Sequence, residues 1–467
     1  MKELLIYLSD QHNPMVSGVY GNPWIDTPNL DRIAQEGHVF ENAYTPCPLC
    51  VPARLAFLTG KRSSKINVFN NDCSLAGDQP TIAHAIGARG YETLLIGRMH
   101  FKGVDQTHGF DEHLVGDITT QFWGNGGNRR TDLGAFMGTT NMKGCLDVVG
   151  GGDSPVLDFD ECVVDETLRV MNEKSEAYRF IVTGTYAPHF SYAAPKELYL
   201  KYKERLHEVK VDIKKENHAA YQHMEREIDD DLQLSIRAAY YGMVETMDQQ
   251  IGQVYDAWKQ RLKINGREGI FVYVSDHGDM LGERKMVGKQ TFYESSVRIP
   301  LLIAGNGIEI GRTKTPVSLL DLSRSLIDWT GADPLPDMEG ENLMKIARYG
   351  RRDPVIAEHV IDRVDGCYAG KMIVQGDQKA FSFDEIGELA VYQRDENGIF
   401  APKSVSEPEK CEWHERLKKD WNPKETIERY KQRKSDQEVL VRWGKKKQPK
   451  ETARVVYKRG NFEKPQF

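Results

Sequence analysis

No stretch of this 467-residue chain approaches the run of about 18 apolar residues that a membrane-crossing helix requires. Cysteine is sparse, and its seven residues are too few and odd in number for a disulfide scaffold. Charge of one sign is also missing. The 62 Lys+Arg against 69 Asp+Glu leave a net −7, and 40% hydrophobic residues exclude wholesale disorder. There is no internal repeat, and no zinc-finger or RNA-binding signature, so a nucleic-acid partner is not expected. The N-terminus has no signal-peptide pattern. Its apolar run from Leu4 to Leu8 falls short of the roughly 7–15 residues of an h-region and meets Asp10 without a small-residue cleavage site. The expectation is a cytoplasmic protein with reduced cysteines and no membrane partner.

What is present is the alternation of short apolar runs with longer helical patterns. Residues 3–9, 92–97, 179–184, 269–275 and 297–304 read as fully buried strands. Between them, 27–37 and 232–262 read as helices, with Thr27 placed to cap the first and Gly37 to end it. This order predicts an α/β fold with a mainly parallel central sheet flanked by helices. After Tyr349 the pattern becomes short strands joined by polar turns, a smaller antiparallel sheet, which divides the chain into 1–349 and 350–467. Residues 411–467 hold 17 Lys+Arg against 9 Asp+Glu, a basic tail on an otherwise acidic body. A solvated helix plus an arm packed on that body accounts for it, although the tail could also wrap a neighbouring subunit in a homo-oligomer.

Polar clusters follow four of the strands: Asp10-Gln11-His12, Arg98-Met99-His100, Pro188-His189 and Asp276-His277. Open α/β sheets bind ligands beyond the carboxyl ends of their strands, so four such clusters predict one shared site. Residues 116–155 are Gly-rich and irregular, and a loop of that length in a compact domain is functional or disordered. Its Phe122, Trp123, Arg129 and Arg130 could rim a substrate site or pack on the body.

Cys47-Pro48-Leu49-Cys50 admits a thiol redox pair or half a zinc site, but no second CxxC follows at zinc spacing. More specific is Cys50-Val51-Pro52-Ala53-Arg54, followed by a short helical pattern and Thr59-Gly60-Lys61-Arg62. This stretch resembles the sulfatase signature. YLSDQH, GVYGNPWIDTPNLDRIAQEG, IGRMHF, HGFD, APHFSY, SDHGDMLGE and Lys289 before YESSVRIPLLI are similar to further blocks of that family, in the same order. The resemblance covers roughly 1–345 and leans toward the branch with choline sulfatases and phosphonate monoester hydrolases, in the alkaline phosphatase superfamily.

The resemblance implies an alkaline-phosphatase-like fold and hydrolysis of a sulfate ester, of a sulfated sugar or a small organic sulfate. It implies that a maturation enzyme converts Cys50 to formylglycine, the nucleophile, with Arg54 and His100 holding its hydrate. His189 would stand beside the leaving oxygen, Lys289 on the sulfate, and Arg98 and Asn71 on the substrate; Arg98 stands where the family usually has Lys. Asp10, Gln11, Asp276 and His277 would hold one divalent metal. His277 replaces an Asn common in the family, which sets manganese beside calcium as the ion. The same scaffold also serves phosphonate monoesters and phosphodiesters. A reading of another class is an unmodified metal-binding or thiol module without sulfatase activity.

Overall fold

The structure, a computed structural model, describes residues 1–124, 131–209, 216–351, 353–396, 398–458 and 462–465, with Thr131 by its backbone alone. Its centre is an eight-stranded sheet in the order Gly311–Thr313, Gly37–Phe40, Leu301–Gly305, Gly269–Ser275, Glu3–Asp10, Arg179–Pro188, Glu92–Gly97 and Glu112–Leu114. The last five of these run parallel to one another. Leu301–Gly305 is antiparallel to both neighbours.

Strands buried on both faces read as continuous apolar runs, and every residue of Glu3–Asp10 and Gly269–Ser275 is buried. Alternation then sorts the side chains. Leu5 and Tyr7 face a core built with the helices Pro155–Asn172 and Asp230–Asn265. Leu4, Ile6 and Leu8 face a second core built with Cys50–Thr59 and Leu319–Thr330. Asp10 continues the second phase and emerges on the side of the Cys50 helix.

Two local expectations are corrected. The run 297–304 is not one strand of the parallel set, because Pro300 has no N–H to give to a ladder. Arg298–Ile299 pairs instead with Ala43–Tyr44 in a small three-stranded sheet, and Leu301–Gly305 enters the central sheet antiparallel. Thr27 precedes the helix Pro28–Glu36 but does not cap it; its Oγ1 accepts from the Gly18 N–H at 2.9 Å.

Beyond residue 350 the strands Val355–Arg363, Gly366–Gln375, Gln378–Phe383, Ile386–Arg394 and Phe400–Pro402 form a separate antiparallel sheet in sequence order. Phe381 and Phe383 share a core with Tyr221, Phe292 and Tyr293 of the larger part. Two helices follow, Glu407–Lys418 and Pro423–Lys447. Among the described residues no helix is long and apolar enough to cross a membrane.

Candidate active site

Cys50 is the first residue of its helix and fully buried. A helix start leaves N–H groups without partners, and Asn71 Oδ1 takes one of them, Val51 N, at 3.0 Å. Cys50 Sγ lies 3.2 Å from His277 Nε2 and 3.8 Å from Asp10 Oδ1. Asp10, Cys50, Asp276 and His277 bring one potential ligand atom each to within 4.8 Å of one another, and all four are buried. Three separate chain segments, two strand ends and one helix start, thus meet at one point.

Arg54, one helical turn beyond Cys50, ties this cluster together. Its Nε donates to Asp276 Oδ2 at 2.8 Å and its Nη2 to Asp10 Oδ2 at 3.1 Å, while Nη1 donates to the Arg98 carbonyl at 2.9 Å. The planar fork suits this bridging of two carboxylates. Burial acts to raise the Asp10 carboxyl, but Arg98, His189, Arg54 and Lys289 together hold it well below the usual carboxylate range. For the Cys50 thiol, burial and Asp10 act upward, and Lys289 and His277 outweigh them, so it sits below an ordinary thiol. His277 Nδ1 is 3.1 Å from the Gly278 carbonyl, which directs the Nε2 lone pair of the neutral ring toward the cluster. The far end of the motif is structural: Arg62 pairs with Glu339 at 2.9 Å and Glu358 at 2.8 Å.

Gln11 stands beside the cluster in left-handed backbone geometry, φ 70°, which non-glycine residues rarely adopt outside special sites. Its N–H donates to Asp276 Oδ1 at 3.0 Å. Its side chain is engaged at both ends: Oε1 accepts from Lys289 Nζ at 2.7 Å, and Nε2 donates to Asp279 Oδ2. Asp279 also accepts from Tyr192 Oη and from the N–H groups of Leu281 and Gly288. It therefore orients Gln11 and the segment carrying Lys289. Sequence reasoning missed it, although it belongs to the SDHGDMLGE block.

Arg98 is fully buried, stacked 4.5 Å from the Tyr186 ring centroid, and spends its fork on positioning. Nε donates to Asp10 Oδ2 at 2.6 Å, Nη1 to Asp117 Oδ1 at 2.9 Å, and Nη2 to His100 Nδ1 at 2.7 Å. His100, also left-handed at φ 60°, donates its N–H to Asp117 Oδ2. With Nδ1 accepting, the neutral ring carries its hydrogen on Nε2. His189 has the opposite arrangement: Nδ1 donates to the Phe190 carbonyl at 2.6 Å and Nε2 accepts from Lys289 Nζ. Burial, with Arg98 and Lys102 acting on His100 and Lys289 on His189, holds both rings well below the ordinary histidine value. Asp117 and Tyr186 carried no sequence signal, because their role comes from contacts across the fold.

Asn71, Arg98, His100, His189 and Lys289 lie on the wall of a cavity of about 630 Å³, and the Cys50 cluster adjoins it through Arg98 and Lys289. Phe122 and Trp123 turn away from this space. Phe122 meets Trp443 edge-on, and Trp123 Nε1 donates to the Asp72 carbonyl at 2.7 Å. Arg129 and Arg130 lie outside the described residues.

The basic tail packs on its own body. Past the helix Pro423–Lys447 it runs along the loop that forms the cavity wall. Asp117 N donates to Ala453 O, and Val455 N to Asp117 O, both at 3.1 Å. Gln121 N donates to Glu451 Oε1, and Ala135 N to Phe462 O. The tail therefore holds the backbone of Asp117, which in turn positions Arg98 and His100. A chain ending at Gln448 is expected to keep its far-UV circular dichroism while kcat/KM falls about 10²-fold, the cost of a displacement near 1 Å. An unchanged kcat/KM would show that the wall stands without the tail.

The family model described as Sulfatase matches residues 4–332. A choline-sulfatase of Rhizobium meliloti is 28% identical over 389 residues, covering 77% of this chain and 74% of its own. An arylsulfatase of Clostridium perfringens is 26% identical over 434 residues, covering 82% and 86%. Among solved structures, the phosphonate monoester hydrolase of Agrobacterium radiobacter superimposes with a TM-score of 0.72 at 19% identity, covering 89% of this chain and 95% of the other.

Proposed function

Since the chain belongs to the sulfatase family and is a sulfuric ester hydrolase, we infer that hydrolysis uses formylglycine made from Cys50 and one divalent cation. The observation that supports this is the meeting of Asp10, Cys50, Asp276 and His277 within 4.8 Å in a buried cluster. Two carboxylates and an imidazole nitrogen fit a hard or borderline cation, with Gln11 beside them as a further oxygen. The imidazole favours manganese over calcium. When present, the cation neutralises sulfuryl oxygens and the hydrated formylglycine supplies the attacking oxygen.

The chain's own side chains do the remaining work. Arg54 keeps the two carboxylates together and clear of water. Arg98 holds both Asp10 and His100 through one guanidinium, and His100, on the cavity wall, keeps its Nε2–H for the hydrated formylglycine. Lys289 supplies a positive charge that an incoming sulfate would share with Gln11. The negative charge of that sulfate favours the protonated form of His189, which then stands ready to protonate the leaving oxygen. A formylglycine-generating enzyme is the required maturation partner.

The shared fold keeps phosphodiester or phosphonate ester cleavage as the rival. An aryl sulfate and an aryl phosphodiester assayed side by side decide between them. The expected result is faster sulfate turnover, lost on chelation and restored by manganese or calcium. Faster phosphodiester turnover would overturn the sulfate reading.

A further inference from the structure

Lys102 has entered so far only through its field on His100, yet it lines the same cavity as Arg98, His189 and Lys289. It is 8% exposed. Its Nζ donates to the Thr120 carbonyl at 2.7 Å and reaches Thr120 Oγ1 at 3.4 Å. The nearest carboxylate among the described residues, Asp72 Oδ1, is 4.0 Å away on a side chain that is 61% exposed. A solvated carboxylate at that distance neutralises little. An ammonium has three donors, and here one of them has no hydrogen bond among the described residues. Burial pulls the group below the ordinary lysine value, against Asp72, Asp117 and Glu451, and an arriving anion would favour its charged form.

The surroundings narrow the ligand. Asn71, Thr119, Thr120 and Asn141 put amides and hydroxyls on the wall, with Phe190 and Met142 as apolar surface. Of the charged residues on the wall, Arg98, Lys102 and Lys289 are cations and Asp72 is the acid. A cationic alcohol portion would meet Lys102 as a like charge. A volume of about 630 Å³ is in the range of sites that hold drug-sized ligands, which leaves room for much more than the scissile group.

We propose that Lys102 forms a second anion subsite, so that the preferred substrate is a sulfate ester bearing a further carboxylate or sulfate on a hydroxyl-rich body. The proposal rests on the sulfate-ester reading above. It assigns Lys289 to the scissile sulfate and Lys102 to the second charge.

The test uses the matured, metal-loaded enzyme with a hexose monosulfate and the same hexose carrying a second sulfate. A charge-assisted hydrogen bond corresponds to a preference of roughly 10- to 100-fold in kcat/KM for the disulfate. Lys102→Met should reduce that ratio to about 2 or less, and Lys102→Arg should retain most of it. The preference should also shrink as ionic strength rises. A wild-type ratio near one, or a ratio unchanged in Lys102→Met, would overturn the subsite. If neither sugar is turned over, the aryl sulfate assay above decides the sulfate-ester reading. Calorimetric binding of the two sugars to wild type and Lys102→Met then decides the subsite separately: a lysine-dependent preference supports it, and equal binding ends it.

Discussion

Cys50→Ala protein is expected to lose sulfate-ester turnover by about 10³-fold or more while keeping its fold. The expectation follows from the geometry of the cluster. Cys50 Sγ faces Asp10 and His277 rather than an apolar wall, so the truncation removes little hydrophobic contact. What it removes is the attacking group, and losses of that kind in covalent catalysis are not recovered by the remaining residues. The same position gives a direct chemical readout. Conversion of the cysteine to formylglycine lowers the mass of the Cys50 peptide by about 18 Da, which intact-peptide mass spectrometry resolves. An unmodified thiol in protein that turns over no sulfate ester would favour the thiol-module reading, and turnover by an unmodified thiol would overturn the formylglycine step. Active protein with the lighter peptide, together with inactive Cys50→Ala of unchanged melting temperature, supports the proposed chemistry.

Arg54→Ala is expected to be the most destabilising single change in the site, by about 3–5 kcal/mol, the range for breaking a buried ion pair from one side. Arg54, Asp10 and Asp276 are each 0% exposed. Removing the guanidinium leaves two carboxylates close together in a medium that solvates neither. Arg98 still serves Asp10, but the hydrogen bond to Asp276 Oδ2 disappears. Arg54→Lys should recover only part of the loss, because one ammonium cannot span both carboxylates and the Arg98 carbonyl. Manganese or calcium should stabilise Arg54→Ala in denaturant titrations more than it stabilises wild type, since a cation between the carboxylates replaces the missing charge. A loss below about 1 kcal/mol would show that Arg54 is not the group keeping the carboxylates together.

The roles outside the motif are where sequence and structure part. Asp10 ends a strand and Arg98, His100, His189, Asp276 and His277 follow strands, and the rule that such ends converge was enough to group them. The Cys50 block was legible through its resemblance to the sulfatase signature, and the short helix expected there is Cys50–Thr59. Asp117 and Asp279 were not legible, because each acts by what it touches across the fold. Asp117 is held by residues 453–455 and in turn holds Arg98 and His100. Asp279 gathers Gln11, Tyr192 and the segment before Lys289. The 297–304 run shows the converse failure. Its apolar content was read correctly as buried, but Pro300 divided it and pairing set its direction.

The amino-acid sequence by itself determined the absences first noted: no membrane-length apolar run, too few cysteines for a scaffold, and no charge of one sign. It also determined the strands buried on both faces and the chemistry placed at their ends, since periodicity and residue type are local properties. Tertiary structure alone decided three further things. It turned the basic tail back along the cavity wall, set Phe122 on Trp443 and Trp123 on the Asp72 carbonyl, and left Lys102 facing the cavity with a donor that has no hydrogen bond among the described residues. Each depends on which distant backbone or side chain supplies the partner, and sequence neighbours carry no record of that. The scarce cysteines thus reduce to one residue of consequence, Cys50, and its consequence comes from the buried carboxylates, arginines and histidine that the fold assembles around it.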